Sequence, residues 1–577
     1  PQSLPLKGEG GFFVHAYTSL LSGLLNARYV VAILAFAAAG AAVYGALSLG
    51  RELIPPVDAG QIAINVRMPS GANIDVTDRE ITRIEEAIIR LAGKPDPQFA
   101  YGDEQHADSD VQLLISNIGV LMDWPAAYTP NAGPGDAFML LQLKGKPGRP
   151  GAFAYAEALR EQLTAEFPAV EFAFDTGGTL TSAMNRGEPA PLHFQVSGSK
   201  LDVMQSIAQT VTAEIEQVEG AVDVRIAQRL DYPTMTIKMD RDLAARVGLT
   251  PEDVMKNLVS ATNSSVGFDP AFWIDQSKGN HYFIGVQYPE RLLTSISTVE
   301  EIPVGYRNGR PVRLKNVATI ERGEGPGSVS HRNITRVMDV YANAARGYDV
   351  GTVMTAIERR LLANQTLQLR RTQENRGEVY RTANKALEGH ALRAQGEVKS
   401  MRETFRQFAT GLAIAAVLVY LVMVAQFQSF LDPLVILLTV PLGFIGVVAV
   451  MYGTGTTLSI MSLMGVIMMV GIVVEYAIVL VDFANRRVAD GLPVRDAILD
   501  AAAVRARPIL MASLTTWLAL LPMAIASGGA DANAPLARTI IGGVLAATVL
   551  TLLVTPCLYL IFKHEPATPA AGRVASA

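Results

Sequence analysis

The residue with the most chemistry to explain in this 577-residue sequence is a carboxyl in the middle of an apolar run. Glu475 stands in MMVGIVVEYAIVLVDFA, residues 468–484. At a helix centre in lipid a charged side chain costs ~2.5–3.5 kcal/mol on insertion scales. A carboxyl escapes that cost by binding a proton, because burial raises its pKa. A group that is neutral at one stage and charged at another is what proton coupling needs; the competing reading is a structural acid paired with a base on another helix. Asp482 follows seven residues later, almost two turns of ~3.6 residues, so both acids share one helix face. Asp482 lies near the end of its run, where plain solvation competes with a relay role. On the next apolar run Ser513, Thr515 and Thr516 carry hydroxyls able to pass protons or hold water, although most such hydroxyls bond to their own helix backbone.

Methionines form a second chemical group. Met461, Met464, Met468, Met469 and Met511 fall in apolar runs, and Met68, Met122, Met139 and Met184 fall outside them. Clustered thioethers bind Cu(I), while single ones are ordinary packing material. The 7 histidines are scattered without metal-ligand spacing, and the 1 cysteine, Cys557, excludes an intramolecular disulfide. No nucleophile–base pair, phosphate loop or metal motif points to an enzyme, and no cofactor is expected. Net charge is -5, with no basic stripe, which argues against nucleic acid as a partner.

The elements that must position these groups are long helices. Half of the residues (50%) are hydrophobic and only 18% charged, and the charge is concentrated in the middle of the chain. Residues 29–49 are apolar or small throughout, enough to cross ~30 Å of hydrocarbon, and Pro55-Pro56 forbid further helix. Further apolar runs cover about residues 408–424, 433–452, 461–484, 509–526 and 539–561, with a small-residue loop over 528–534. Residues 11–28 mix apolar and polar positions at helical spacing and predict an amphipathic helix on the membrane surface.

The middle alternates short strands with amphipathic helices. Gln61–Pro69 predicts a strand, Thr77 and Glu80 a capping box, and Ile81, Ile84, Ile88 and Leu91 an apolar stripe closed by Gly93. Strands at 138–144 and 170–174 and a helix at 152–167 complete a split βαβ order. A second such unit follows: strands at 192–198, 222–226 and 334–342, and helices at 201–218 and 350–362, with a capped helix starting at Thr250 in an insertion over about 227–325. Residues 370–405 are charged, and Arg393–Arg406 has a helical pattern leading down to the membrane; 370–389 has no assignable element. Arg486, Arg487, Arg495, Arg505 and Arg507 make the 484–507 loop the cytoplasmic one by the positive-inside rule, which puts 58–404 on the far side.

Four segments together resemble the second half of resistance-nodulation-division efflux pumps: RELIPPVDAGQIAINVRMPSGA, LVYLVMVAQFQSFLDPLVILLTVPLGFIGV, GIVVEYAIVLVDFANRR and VRARPILMASL. The resemblance runs from about residue 11 to 562 and is of the hydrophobe and amphiphile efflux type. It implies a six-span membrane α-helical bundle with a large α+β periplasmic region of ferredoxin-like βαβ porter subdomains and a docking insertion. The implied division is a cytoplasmic-side amphipathic helix (1–28), a first span (29–49), porter subdomains at 58–185 and 186–404, the docking insertion at about 227–325, five spans (408–562) and a cytoplasmic tail (563–577). It further implies a homotrimeric proton antiporter of the bacterial inner membrane, working with a periplasmic adaptor and an outer-membrane channel on small amphiphilic substrates. The chain starts at Pro1 without a leader, and the expectation is a fragment or split product whose partner is the missing N-terminal half.

Two positions depart from the family pattern: Glu475 stands where many members have a lysine facing two aspartates, and Ala512 where they have a threonine, whereas Arg505 matches the family's arginine. Glu475, Asp482, Ser513, Thr515 and Arg505 are therefore the expected proton relay. The first porter subdomain would line the entry pocket, and Met122, Trp124, Tyr128 and Phe138, amid glycine and proline, are the expected substrate contacts, with packing as the competing role. Heavy-metal (Cu/Ag) export and a non-transporting sensor or scaffold are the rival functions.

Overall fold

The structure is a computed structural model of the chain. It describes residues 12–55, 58, 60–93, 110–120, 131–144, 151–176, 189–268, 270–374, 377–525 and 533–563. Met122, Trp124, Tyr128 and Met184, the 528–532 part of the small-residue loop and the tail beyond Lys563 lie outside these residues.

Helix α1 (Phe12–Asn26) is followed almost at once by α2 (Arg28–Ala46). Leu21 and Leu25 of α1 pack into the core around Val554, Cys557 and Leu558, and the Tyr17 hydroxyl donates to the Leu552 carbonyl at 2.8 Å. The amphipathic face of α1 is thus spent on the helix bundle itself.

The first soluble sheet is built from β1 (Gln61–Arg67), α3 (Ile74–Ala92), β2 (Val111–Ile118), β3 (Asp136–Leu143), α4 (Ala152–Glu166) and β4 (Glu171–Asp175). Its order is β2-β3-β1-β4 with every pair antiparallel, the arrangement of a split βαβ unit. Period-2 alternation aims Ile62, Ile64 and Val66 of β1 and Met139 and Leu141 of β3 into the core, against Ile81, Ile84 and Ile88 of α3. Leu91 turns outward instead. The expected capping box at Thr77 and Glu80 is not formed. The helix starts a turn earlier, at Ile74, so Thr77 is buried inside the first turn and its hydroxyl donates to the Asn73 carbonyl at 3.1 Å. At the other end Gly93 takes φ 90°, a left-handed value suited to glycine, and closes the helix.

The second sheet uses β5 (Leu192–Ser197), α5 (Leu201–Glu216) and β6 (Ala221–Ile226). Residues 228–329, with 69–72, form a separate compact unit holding β7 (Tyr232–Met239), α6 (Arg241–Arg246), α7 (Pro251–Asn263), β8 (Ala271–Ile274), β9 (His281–Ile284), α8 (Ile296–Glu300), β10 (Pro303–Arg307), β11 (Arg310–Arg313) and β12 (Ala318–Gly325). Thr250 and Asp253 make the expected reciprocal cap of α7. The chain then returns as β13 (Ser330–Arg332), β14 (Thr335–Ala344) and α9 (Val350–Ala363), and continues as β15 (Leu369–Glu374), β16 (Gly377–Thr382) and β17 (Ala391–Gln395). Residues 369–374, 377–382 and 391–395 are therefore strands, and the descending helix begins only at Gly396. The sheet order is β13-β14-β5-β17-β16-β15, with β6 also on β14. The reason is long-range: Leu392 pairs with Val196 and Tyr380 with Leu392, so a charged stretch acquires its period-2 pattern only when its partners are in place.

Six helices among the described residues are long and apolar enough to cross a membrane. Besides α2 they are α10 (Gly396–Phe427), the pair α11 (Leu431–Leu437) and α12 (Val440–Thr454), α13 (Ile460–Ala489), α14 (Val494–Ile525) and α15 (Ala534–Phe562). Helices α12 and α15 meet backbone to backbone: a Cβ on Gly446 would stand 2.0 Å from the Gly542 carbonyl oxygen, so only glycine fits there.

Candidate proton-coupling site

Glu475 occupies an uncovered stripe of α13. Met464, Ile467 and Met468 lie exposed on the turns before it, while Val473, Val474, Ala477 and Leu480 turn into the bundle. Asp482 follows on the same side, as the two-turn spacing requires, and pairs with Arg486 one turn on at 2.7 Å. This ion pair holds Asp482 among the arginines at the end of the helix.

The other expected relay groups are not joined to Glu475. Ser513 is buried and donates to the Leu510 carbonyl at 3.1 Å; Thr515 donates to the Met511 carbonyl at 2.8 Å and Thr516 to Ala512 at 3.0 Å. Each hydroxyl satisfies its own helix backbone. Arg505 lies over the Phe483 ring, 4.8 Å from its centroid, where Arg487 also stacks at 5.1 Å. Its Nε is buried without a hydrogen-bond acceptor among the described residues.

One buried polar network escaped the sequence reading. Asp432, in the first turn of α11, accepts from Lys563 Nζ at 3.1 and 3.2 Å and from Asn485 Nδ2 at 3.0 Å. The Asn485 side-chain Oδ1 in turn accepts from the Tyr559 hydroxyl at 2.7 Å and from Lys563 Nζ at 3.0 Å. The available signal was an aspartate directly preceding a proline and an apolar run; its partners lie 53 and 131 residues away.

In the soluble region Phe138 is half-buried on the face of β3 opposite the core. Met68 and Met139 are buried among the core residues of the first sheet. No cluster of three or more His, Cys, Asp or Glu able to hold a metal occurs among the described residues.

Comparison with known proteins agrees with this architecture. The family model described as AcrB/AcrD/AcrF matches residues 11–563. The chain is 25% identical over 536 residues to the cobalt-zinc-cadmium resistance protein CzcA of Cupriavidus metallidurans, covering 91% of this chain and 46% of that protein. It is 27% identical over 578 residues to protein HelA of Legionella pneumophila, covering 96% and 50%, and 25% identical over 540 residues to the multidrug resistance protein MdtC of Erwinia amylovora, covering 92% and 47%. The crystal structure of a heavy metal efflux pump superposes with a TM-score of 0.76 at 22% identity, over 96% of this chain and 52% of that one. The chain thus spans about half the length of the curated relatives it matches. With a family match over nearly its whole length, the chain belongs to the AcrB/AcrD/AcrF family of resistance-nodulation-division transporters.

Proposed function

We propose that this chain is the C-terminal half of a proton-driven antiporter of the bacterial inner membrane that exports hydrophobic or amphiphilic compounds, with residues 58–404 in the periplasm. The observation that carries the reading is Glu475 on the open stripe of α13. A carboxyl facing acyl chains is costly, so that stripe calls for a protein partner offering polar groups. The N-terminal half of the same pump is the natural partner, and Glu475 is then a proton carrier at the seam between the halves. Asp482 and Arg505 set the charge at the cytoplasmic end, and Ser513 and Thr515 are auxiliary relay positions reached only after a rotamer change. A homotrimer with a periplasmic adaptor and an outer-membrane channel completes the assembly. Met122, Trp124, Tyr128 and Phe138 are the proposed substrate contacts.

The test is export by cells that supply the whole pump, comparing Glu475→Gln with the wild type. Loss of dye or detergent export by at least tenfold (about 1.4 kcal/mol), with normal protein levels, is expected; unchanged export removes Glu475 from the scheme.

Heavy-metal export is the second reading, favoured by the similarity to CzcA. The burial of Met68 and Met139 in the sheet core assigns those two thioethers to packing and weighs against them as ligands. Metal accumulation measured beside dye accumulation in the same strains separates the two: protection against copper, silver or zinc alone would select the metal reading.

A further inference from the structure

Residues 50–54, which follow α2, are tied to several distant parts of the chain. The Leu458 N–H donates to the Gly50 carbonyl at 2.7 Å, the Glu52 N–H to the Leu458 carbonyl at 3.0 Å, and the Ile460 N–H to the Leu53 carbonyl at 3.0 Å. These bonds form a short parallel ladder onto the start of α13, the helix that bears Glu475. The Arg51 N–H donates to Asp349 Oδ2 at 2.8 Å, and the Gly351 N–H donates to the Arg51 carbonyl at 2.9 Å; Asp349 is the N-cap of α9. The Leu53 N–H donates to Glu397 Oε1 at 2.9 Å, in the first turn of α10, and the Glu397 N–H donates to the Pro191 carbonyl at 3.2 Å, just before β5. One pentapeptide therefore joins the ends of α2, α10 and α13 to α9 and β5. The fit is close, since a Cβ on Gly50 would come within 2.7 Å of Asp349 Oδ1.

Three carboxyls bear on this knot. Glu52 is 9% exposed and its Oε2 accepts from the Thr457 hydroxyl at 2.9 Å; Glu397 is 8% exposed. The charged groups acting on Glu52 from the elements around it are Glu397 and Asp349. The guanidinium of neighbouring Arg51 turns back to the Leu47 carbonyl at 3.5 Å. One turn beyond Glu397, on the same side of α10, Ser400 is 9% exposed with a hydroxyl that has no partner among the described residues.

We propose that Glu52 is a second proton-binding site, at the end of the bundle opposite the arginine-rich loop, and that its protonation tightens the knot linking the helices to the soluble region. The inference rests on the exporter reading for its role in transport, though not for the titration itself. The proton comes from the solvent on that side, and no other bond changes. A neutral Glu52 adds no charge beside Glu397 and Asp349 and keeps an O–H to donate. An ionised Glu52 puts another negative charge in a buried site where no cation among the described residues acts on it, and the segments holding the acids separate. Burial, reinforced by Glu397 and Asp349 and opposed by the Thr457 bond, pushes the Glu52 carboxyl up to about 7. The sign follows from linkage: between about 4.5, its ordinary value, and about 7 the folded protein holds a proton that the unfolded chain has lost. The contribution to stability is full below that window and is lost as pH rises through about 7.

The test is hydrogen exchange of segments 47–55 and 456–462 in the whole pump in lipid nanodiscs, at about pH 6 and about pH 8, corrected for intrinsic exchange. Wild-type protection should fall by about threefold or more between the two, and Glu52→Gln should show no such fall. The same loss in both proteins overturns the proposal. Should Glu52→Gln fail to fold, Thr457→Val serves instead: without its bond to the carboxylate the opening midpoint should move to higher pH, and an unmoved midpoint is equally fatal. Export assayed over the same range should lose its pH dependence in Glu52→Gln, with substrate KM unchanged. If wild-type export ignores an imposed proton gradient, the exporter reading fails, while the exchange measurement still decides the proton site.

Discussion

Glu475, Glu52 and Asp432 are carboxyls set in or beside apolar helices, and each meets the cost of its position differently. Glu475 lies on an open stripe, Glu52 is buried among other acids, and Asp432 is matched by Lys563 and Asn485. The last case gives a direct energetic expectation. Asp432→Ala leaves the Lys563 ammonium without its carboxylate and should cost ~2–4 kcal/mol, less than for a wholly buried pair because Lys563 is partly exposed. Thermal unfolding of the detergent-solubilised protein measures it. The double variant with Lys563→Met should recover much of the loss; if it is no more stable than Asp432→Ala, the network is not held by this pair.

At the scale of elements, Asp223 clamps the two soluble sheets of the chain together. It takes φ 55° near the start of β6, a region that aspartate tolerates better than most residues. Its side chain accepts from Arg160 at 2.7 and 2.9 Å, from the Phe174 N–H at 3.1 Å and from Asn343 Nδ2 at 2.9 Å. Arg160 belongs to α4 and Phe174 to β4, on the first sheet, while Asn343 belongs to β14 on the second. Asp223→Ala strands a guanidinium and two N–H donors, and should cost ~3–5 kcal/mol. Limited proteolysis should then cut residues 189–191, between the sheets, faster than in the wild type; an unchanged cleavage rate would mean the sheets are held by apolar contacts alone.

At the scale of the whole molecule, two of the open surfaces among the described residues bear on assembly. One is the α13 stripe with Glu475. The other is the β8–β9 hairpin, where Phe272, Trp273, Ile274, Tyr282, Phe283 and Ile284 are all exposed. Phe272 pairs with Phe283 and Trp273 stacks on Tyr282 with centroids 5.9 Å apart, so both faces of the ribbon are apolar. Monomeric soluble surfaces rarely present such a patch, which supports the proposed self-association. Phe283→Asp should lower the oligomeric mass of the assembled pump in light scattering, and an unaltered mass would assign the hairpin to another partner.

Composition and periodicity by themselves determined the apolar helical runs, three of the four strands of the first soluble sheet, the Thr250 cap and the shared face of Glu475 and Asp482. All of these depend on residues within a turn or two of one another, where ~3.6-residue and 2-residue periods are visible. The Thr77 cap failed because the helix starts one turn earlier, at Ile74, which leaves Thr77 bonded back to the Asn73 carbonyl. Only the tertiary structure decided the strands of 369–395, the acids gathered around Glu52, and the Asp432 network. In each case the stabilising partner is remote: Val196 for Leu392, Glu397 for Leu53, Lys563 for Asp432. A polar residue's burial and charge are set by what the rest of the chain brings against it, and one-dimensional order does not carry that information.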